Sequence, residues 1–433
     1  MRPHRGPSEG ARCRPTRIRD ARCGHWAHLL CALCGLGVLS AVGCDQTVVV
    51  GRMGTDGGRA RDASQDADQD AGDDSGAADG GTGCATPLVA DSLGVGTWHA
   101  CALRAGAVRC WGGGVSGQLC NGDTQDMPRP VAPVGLDTYT ALYVGGQNTC
   151  MTRSDGALRC CGDNFSGTLA DGTSQGSSRP VTVSASVSDL VIGFSNAYAT
   201  RAGGGHDVWG DNEYGQLGLG PATVGTAVRS VTALPTESFT QISANTQHAC
   251  GVTAAGALRC AGTNAGGELG IPLSPDRDVF TAVPTPTTFR SVSAGRRLSC
   301  ALSTADELFC WGTNEPTMVT GTVGFVEMPT RVGAASDYES VSVGFDHVCA
   351  LRGGGRLFCW GSGEYGKLGF TAVSADAPTE VTPGVSYREV RAGPDFTCAI
   401  RAVDSVVVCF GDDSVGQTAG RSGPGPQAVC LDG

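Results

Sequence analysis

The chain has 433 residues, of which 67 are glycine, while aromatic residues make up 6% and charged residues 17%. So much glycine with so little charge excludes a helical bundle. The 42 acidic and 31 basic residues give a net charge of −11, which lacks the positive footprint that nucleic-acid binding requires. The 21 cysteines predict an oxidising compartment, and nearly all basic residues are arginine, with Lys367 the only lysine.

The first segment predicts export. Residues 1–28 are rich in arginine, and residues 29–43 form an uncharged apolar run, shorter than the ~20 residues that a membrane-spanning helix needs. We therefore assign a signal peptide to residues 1–43. The residues before Cys44 resemble the lipobox of bacterial lipoproteins. This resemblance implies cleavage before Cys44, a lipid on Cys44 and anchoring in the cell envelope, on the periplasmic side or the cell surface. The alternative is a plain secretory signal cut near Gly43, which gives a secreted protein.

Residues 44–83 are predicted to form a tether. From residue 51 onward this segment combines aspartate with glycine, alanine and serine, and it has no aromatic residue and no apolar periodicity. Such a composition buries too little apolar surface to offset the entropy of ordering the chain. We expect a disordered spacer rich in Asp, Gly and Ala between the anchor and a folded domain.

The rest of the chain repeats one unit seven times, at intervals of about 49 residues. One copy lacks cysteine and has Tyr198 or Ala199 and Val208 in those places. Apolar and polar residues alternate within each copy, as in residues 291–295, which predicts half-buried β-strands without a helical period. The other copies carry two cysteines each: Cys101 and Cys110, Cys150 and Cys160, Cys250 and Cys260, Cys300 and Cys310, Cys349 and Cys359, Cys398 and Cys409.

The cysteine spacing predicts a disulfide within each of these six units. If Cys150 pairs with Cys160, a three-residue loop lies midway between them, and Gly156 in that loop can adopt the left-handed conformation. The two cysteines then lie opposite each other on neighbouring strands, with Cβ atoms ~4.5–5.5 Å apart, close to the span of a disulfide. The third copy lacks both cysteines together, as expected of bonding partners. The spacings do not fit metal ligation, so we predict no metal.

The glycine-rich tail of the unit points to a family. The run WGDNEYGQLG at residues 209–218, and its copies at 248–270 and 349–369, resemble the repeat of the regulator of chromosome condensation over about residues 85–430. The resemblance implies an all-β, seven-bladed β-propeller over residues 84–433, with one four-stranded sheet per blade. The fifth copy lacks the tail after Trp311, and the seventh departs after Gly416. We expect irregular outer loops there and not missing blades.

Ring closure is also predicted. Residues 86–89 and 426–429 both look like the last strand of a unit, so one chain end can complete the blade that the other begins. Cys84 and Cys430 lie just outside these pieces, and we expect a disulfide between them to latch the termini. Cys120 and Cys161 then remain. Bonding across adjacent units is one interpretation, and their pairing stays open.

No catalytic residues and no cofactor motif can be singled out. His99, His248 and His347 recur two residues before the first cysteine of a unit, where ligands could in principle ring the channel. The other copies hold residues of different chemistry, so we favour a packing role. These residues include Asn148, Leu298 and Phe396.

We favour a non-enzymatic binding module that recognises a protein or glycan at the cell envelope through its propeller loops. A resemblance to secreted propeller inhibitors of β-lactamase implies that this repeat can form a protein-binding face. Three alternatives stay open: guanine-nucleotide exchange, as in nuclear members of the family, an enzyme at the channel mouth, or a purely structural role. Tyr214 and Tyr365, at equivalent places in outer loops, are the candidate interface residues. We expect a monomer that touches the membrane only through its lipid.

Overall fold

The computed structural model describes residues 84–431 except 136, 186, 236–237, 273–274, 320, 322, 421–422 and 424. The predicted signal peptide, Cys44 and the tether up to residue 83 lie outside the described residues. They stay predictions.

The described chain forms seven antiparallel sheets, each built from four consecutive strands, which we call blades 1 to 7. Blades 1 to 3 comprise β1 (Ser92–Val95), β2 (His99–Arg104), β3 (Ala107–Gly112) and β4 (Met127–Val131); β5 (Tyr139–Gly145), β6 (Asn148–Arg153), β7 (Leu158–Gly162) and β8 (Ser177–Val183); and β9 (Val187–Ile192), β10 (Asn196–Arg201), β11 (His206–Asn212) and β12 (Thr226–Ala233).

Blades 4 to 7 comprise β13 (Phe239–Ala244), β14 (His248–Thr253), β15 (Leu258–Gly262) and β16 (Arg277–Ala282); β17 (Phe289–Ala294), β18 (Leu298–Ser303), β19 (Leu308–Thr313) and β20 (Phe325–Arg331); β21 (Tyr338–Val343), β22 (His347–Arg352), β23 (Arg356–Ser362) and β24 (Ser374–Glu380); and β25 (Tyr387–Ala392), β26 (Phe396–Arg401), β27 (Val407–Gly411) and β28 (Gln427–Ala428). Two short 3-10 turns, Pro221–Thr223 and Glu364–Gly366, are the helical elements of the described residues. In this part of the chain no helix has the length and apolar character needed to cross a membrane.

The central hairpin of each blade follows from its turn residues. Cys150 on β6 lies opposite Cys160 on β7, and the chain reverses at Gly156, whose φ of 84° suits glycine. The same register places the cysteines opposite each other in the five other cysteine-bearing blades. In blade 3, Tyr198 lies opposite Val208, so an apolar pair takes the place of the disulfide.

The first strands of the blades surround a central channel. β1, β5, β9, β13, β17, β21 and β25 contact one another in this order, and β25 contacts β1. The sheets therefore close into a ring. The predicted all-β, seven-bladed propeller is confirmed, and the irregular fifth and seventh copies form complete blades.

Both ends of the repeat region complete blade 7. β28 pairs with β27, and the carbonyl of Leu88 accepts a hydrogen bond from the Val407 N–H on the same strand. The Leu88 N–H donates in turn to the carbonyl of Val429, at 2.7 Å. Pro87 forms a β-bridge with Cys430. The N-terminal segment thus pairs with blade 7 before it enters β1, which joins the last blade to the first.

The apolar core lies between the blades. Each of the seven clusters of buried residues draws its side chains from two neighbouring blades. Trp311 of blade 5, for example, packs in the cluster it shares with blade 4, and its Nε1–H donates to the Glu268 carbonyl at 2.8 Å. Packing of this kind holds the ring rigid and leaves the loops at its two ends available for function.

Candidate functional site

The antiparallel strand order gives the propeller two faces. Loops after the first and third strands of a blade leave one end of the sheet, and loops after the second and fourth leave the other. We call the loop after the first strand of a blade its first loop, and the loop after the third strand its third loop. The first loops of neighbouring blades meet. The Thr97 N–H donates to the Gly146 carbonyl at 2.7 Å, and Asn196 Nδ2 donates to the Asn245 carbonyl at 3.1 Å. We call the face formed by the first and third loops the mouth face, and the opposite face the base face.

A cavity of about 510 Å³ occupies the channel. Its walls are the first strands, and first loops with Phe194 and Phe345 border it at the mouth face. The charged side chains in the lining are Asp189 and Arg391, and Arg391 is bound to Glu389 at 2.9 Å. Among the described residues, the lining thus holds one acidic side chain, from blade 3, and one basic side chain, from blade 7.

Hydroxyl groups along the channel join neighbouring blades. The Oγ atoms of Ser243, Ser293 and Ser342 each accept a backbone N–H from the next blade, at 2.9, 3.1 and 2.9 Å. Among the described residues, no group of three His, Cys, Asp or Glu side chains has an arrangement suited to a metal ion. The serine hydroxyls thus link blades 4 to 7 along the channel.

The mouth face is acidic. Among the described residues of its loops, the basic side chains are Arg296, Arg297 and Lys367, while Arg421 lies outside the described part of the last loop. Every blade contributes at least one acidic residue: Asp123, Asp126, Asp163, Asp171, Glu213, Glu268, Asp276, Glu315, Asp346, Glu364, Asp395, Asp412 and Asp413.

The same face presents large apolar side chains to solvent. Phe165 is 78% exposed, Val373 is 88% exposed and Tyr365 is 61% exposed. More of them lie on these loops, namely Trp98, Val115, Val224 and Val323. Exposed apolar side chains among charges are typical of a surface that binds another macromolecule.

Tyr214 and Tyr365, the predicted interface residues, lie at equivalent places on blades that are not neighbours. Tyr365 of blade 6 projects from a left-handed backbone position with a φ of 61°. Tyr214 of blade 3 is half-buried, and its N–H donates to Gln216 Oε1 at 2.9 Å. Both residues belong to the mouth face, but the structure does not bring them together in one patch.

Several arginines of the base face form ion pairs with carboxylates. Arg401 contacts Asp404 at 2.7 Å, and Arg352 contacts Asp337 at 3.0 Å. Arg153 contacts two carboxylates, Asp137 and Asp155. The charges of these three arginines are therefore balanced locally.

The three recurrent histidines lie buried between blades. The Nε2 atom of each hydrogen-bonds a hydroxyl of the next blade at 2.8–2.9 Å; the partners are Thr149, Ser299 and Thr397. Burial lowers the pKa of His99 to about 3 and that of His248 to about 4. Burial, and the nearby charge of Lys367, lower the pKa of His347 to about 3. These neutral rings pack between blades, as predicted, and do not line the channel.

Lys367 is a feature that the sequence did not reveal. This lysine is fully buried, and its Nζ contacts Asp346 of blade 6 at 2.7 Å and Asp395 of blade 7 at 3.0 Å. Burial alone would lower the pKa of Lys367, but the hydrogen bonds and charges of the two aspartates outweigh it and raise the pKa. The group is a charged link between two blades.

The structure bonds every cysteine of the described chain. Six bonds join opposite cysteines of one blade, with Cα–Cα distances of 4.0–4.2 Å. Cys84 is bonded to Cys430, with Cα atoms 5.6 Å apart. Cys120 of blade 1 is bonded to Cys161 of blade 2, the pairing that the sequence left open.

Comparison with known proteins fits this architecture. Two family models described as Regulator of chromosome condensation (RCC1) repeat match residues 338–367 and 354–400, which extend from blade 6 into blade 7. The chain is a propeller of RCC1-like repeats. The RCC1-like propeller is 28% identical over 193 residues to the Ultraviolet-B receptor UVR8 of Arabidopsis thaliana. That match covers 43% of this chain and 44% of UVR8, so it spans less than half of the relative.

Solved structures resemble the RCC1-like propeller in fold. Human WBSCR16 matches with a TM-score of 0.63 at 18% identity, covering 71% of this chain and 86% of that one. Prp20p from Saccharomyces cerevisiae matches with a TM-score of 0.62 at 19% identity, covering 75% and 84%. At these identities the likeness describes the fold alone.

Proposed function

We propose that the RCC1-like propeller is a non-enzymatic binding module whose mouth face recognises a protein partner. The observation that carries the proposal is the joint occurrence of acidic loops and exposed apolar side chains on this face. Charge complementarity then favours a partner with a basic contact surface. A glycan partner is a less favoured alternative, because the acidic loops supply charge that a neutral sugar does not need.

Relatives of the same fold lend support. Prp20p of Saccharomyces cerevisiae is known for its binding to Gsp1p and histones, and a further solved structure holds yeast RCC1 (Prp20) bound to Kap60. Propellers of this fold thus engage other proteins. The same relatives permit guanine-nucleotide exchange as the alternative activity.

The module is proposed to be exported and anchored through a lipid on Cys44. The support is the N-terminal sequence together with eight disulfides, which persist in oxidising compartments. Cys44→Ala is expected to abolish labelling by a fatty-acid analogue and to move the protein from the membrane fraction to the soluble fraction. Unchanged labelling in the variant would contradict the anchor.

Charge variants of the two faces test the binding function. The mouth variant carries Asp123→Asn, Glu213→Gln and Glu364→Gln, all at exposed positions. A matched base variant with the same change in net charge carries substitutions on the opposite face: Asp155→Asn, Asp306→Asn and Asp404→Asn. Each exported, disulfide-bonded protein serves as bait for envelope and secreted proteins of the producing cell.

The expected result is a saturable protein partner that the unaltered chain and the base variant retain and the mouth variant loses. Added salt should weaken this binding, because exposed charges are screened. A partner that the mouth variant keeps, or no partner for a chain whose disulfides are intact, would contradict the proposal.

A further inference from the structure

The first loop of blade 5 differs in charge from the other first loops. It carries Arg296 and Arg297, both exposed, whereas the corresponding loops of blades 6 and 7 carry Asp346 and Asp395. The first loops of blades 1 to 4 have no charged residue. The two arginines therefore form a small positively charged site on an acidic face.

Their guanidinium groups are available to a ligand. The guanidinium of Arg296 lies over the ring of Phe345, 5.4 Å from its centroid, which orients it without neutralising it. The ion pairs among described residues engage Arg290 and Arg331 of the same blade but neither Arg296 nor Arg297. The charge of Arg297 does act on the Glu268 carboxylate of blade 4: burial raises the pKa of this carboxylate, and Arg297 lowers it by a smaller amount. On the base face, in contrast, Arg352 and Arg401 contact carboxylates directly.

A cavity of about 200 Å³ adjoins these arginines and extends between blades 5 and 6. Leu298, Met318 and Phe345 give it apolar walls, and Phe345 also borders the channel. The cavity occurs where the fifth repeat departs from the family tail: Met318 and Val319 follow a cis Glu315–Pro316 bond, where blades 3, 4 and 6 have the Gly-x-Leu-Gly pattern.

Two carboxylates also line the cavity, and they restrict the charge of the ligand. Asp346 is compensated by Lys367 at 2.7 Å, whereas Glu315 is exposed. A ligand with two negative charges, such as a phosphate, meets repulsion from Glu315 and the surrounding acidic loops. A single carboxylate meets less repulsion and matches the paired donors of a guanidinium.

We propose that Arg296 and Arg297 bind one carboxylate side chain of a peptide segment, and that an adjacent apolar side chain of that segment enters the cavity. This inference rests on the proposed function, because it describes the same face. The partner surface that fits is basic at its rim, where it faces the acidic loops, with an aspartate or glutamate next to a leucine-like residue at its centre.

Defined peptides test the site on the exported chain with its disulfides intact. The first probe is a fluorescent heptapeptide with a central aspartate between two leucines and lysines at both ends. The second has asparagine in the central place, and the third has phosphoserine. Binding is measured by fluorescence anisotropy for the unaltered chain and for the double variant Arg296→Gln, Arg297→Gln. A control double variant, Arg104→Gln and Arg129→Gln, removes two exposed arginines outside the mouth loops.

The aspartate peptide is expected to bind about tenfold more tightly than the asparagine peptide, the difference that a charge-assisted hydrogen bond supplies. It should also bind more tightly than the phosphoserine peptide. The Arg296, Arg297 double variant should lose the preference for aspartate, and the control variant should keep it.

Equal binding of the aspartate and asparagine peptides, tighter binding of phosphoserine, or a preference that survives the double variant would each overturn the inference. The proposed function fails separately. If the acidic mouth variant loses a captured partner while the peptides show no preference, the binding face stands and only the carboxylate site is wrong.

Discussion

Cys120 and Cys161 form a disulfide between blades 1 and 2 at the place where blades 4 and 5 pack Trp311 against Gly270. A Cβ on Gly270 would lie 3.0 Å from Nε1 of Trp311, so the residue beside that indole has little room for a side chain. Cys161 takes the place of the tryptophan, and Cys120 that of the glycine, with a φ of 56°. A covalent bond thus replaces an aromatic contact between blades.

Removing this bond should lower the stability of the propeller. The cysteines are 41 residues apart, and a loop of that length corresponds to about 4 kcal/mol in the chain-entropy model. We expect Cys120→Ser to lower the free energy of unfolding in urea by roughly that amount. The double variant Cys120→Gly, Cys161→Trp copies the Gly270 and Trp311 pair of blades 4 and 5 and should recover part of the loss. A single variant as stable as the unaltered chain would show that the bond does not contribute.

Acid should destabilise the fold through the buried histidines. The pKa of each is lowered from 6.5 to about 3 or 4, so the unfolded chain binds protons that the folded chain excludes. Their contribution is complete above pH 6.5 and is lost as the pH falls from 6.5 towards 4. Each histidine adds about 1.4 kcal/mol per pH unit to the slope in this window.

The variant His248→Asn isolates one of these contributions, because blades 2 and 3 already have Asn148 and Asn196 at this place. Its unfolding free energy is measured in urea between pH 6.5 and 4. The slope of this free energy against pH should be smaller by about 1.4 kcal/mol per pH unit, because unfolding takes up one proton fewer. An unchanged slope would mean that His248 is protonated in the folded chain.

The buried charge of Lys367 should also be measurable. Lys367→Met leaves Asp346 and Asp395 without their cation, and because both aspartates are about one-third exposed, we expect a loss of about 2 kcal/mol. Lys367→Gln should cost less, since Gln417 at the equivalent place donates to Asp412 at 2.6 Å. Thermal unfolding of the two variants provides the comparison. Equal losses would show that an uncharged donor at this place recovers no stability, and an unchanged stability of Lys367→Met would contradict the contribution of the charge.

The fold could be predicted because one hairpin is marked by the same chemistry in six units. Cys150, Gly156 and Cys160 define its two strands and its turn, and the repetition gives the number of blades. The bond between Cys120 and Cys161 was only one interpretation of the sequence, because spacing within a unit does not say which positions of neighbouring units meet.

The mouth face could not be predicted either, because its loops come from different units and the sequence does not say which of them meet. A lysine in a loop is ordinarily exposed, and the burial of Lys367 arises from Asp346 and Asp395, which come from separate blades. The positive charge of Arg296 and Arg297 is unusual only in comparison with the other first loops, which the structure brings together at one end of the channel. The departure of the fifth repeat was visible in the sequence, and it did mark the place of the adjoining cavity.

Site-specific photocrosslinking in the producing cell tests the central claim most directly. A photoreactive amino acid replaces Tyr365 on the mouth face in one variant and Val403 on the base face, which is 89% exposed, in the other. We predict a discrete protein adduct from position 365 that disappears when the mouth-face substitutions are added, and none from position 403. An adduct confined to position 403, or one at 365 that is indifferent to the acidic loops, would contradict the account.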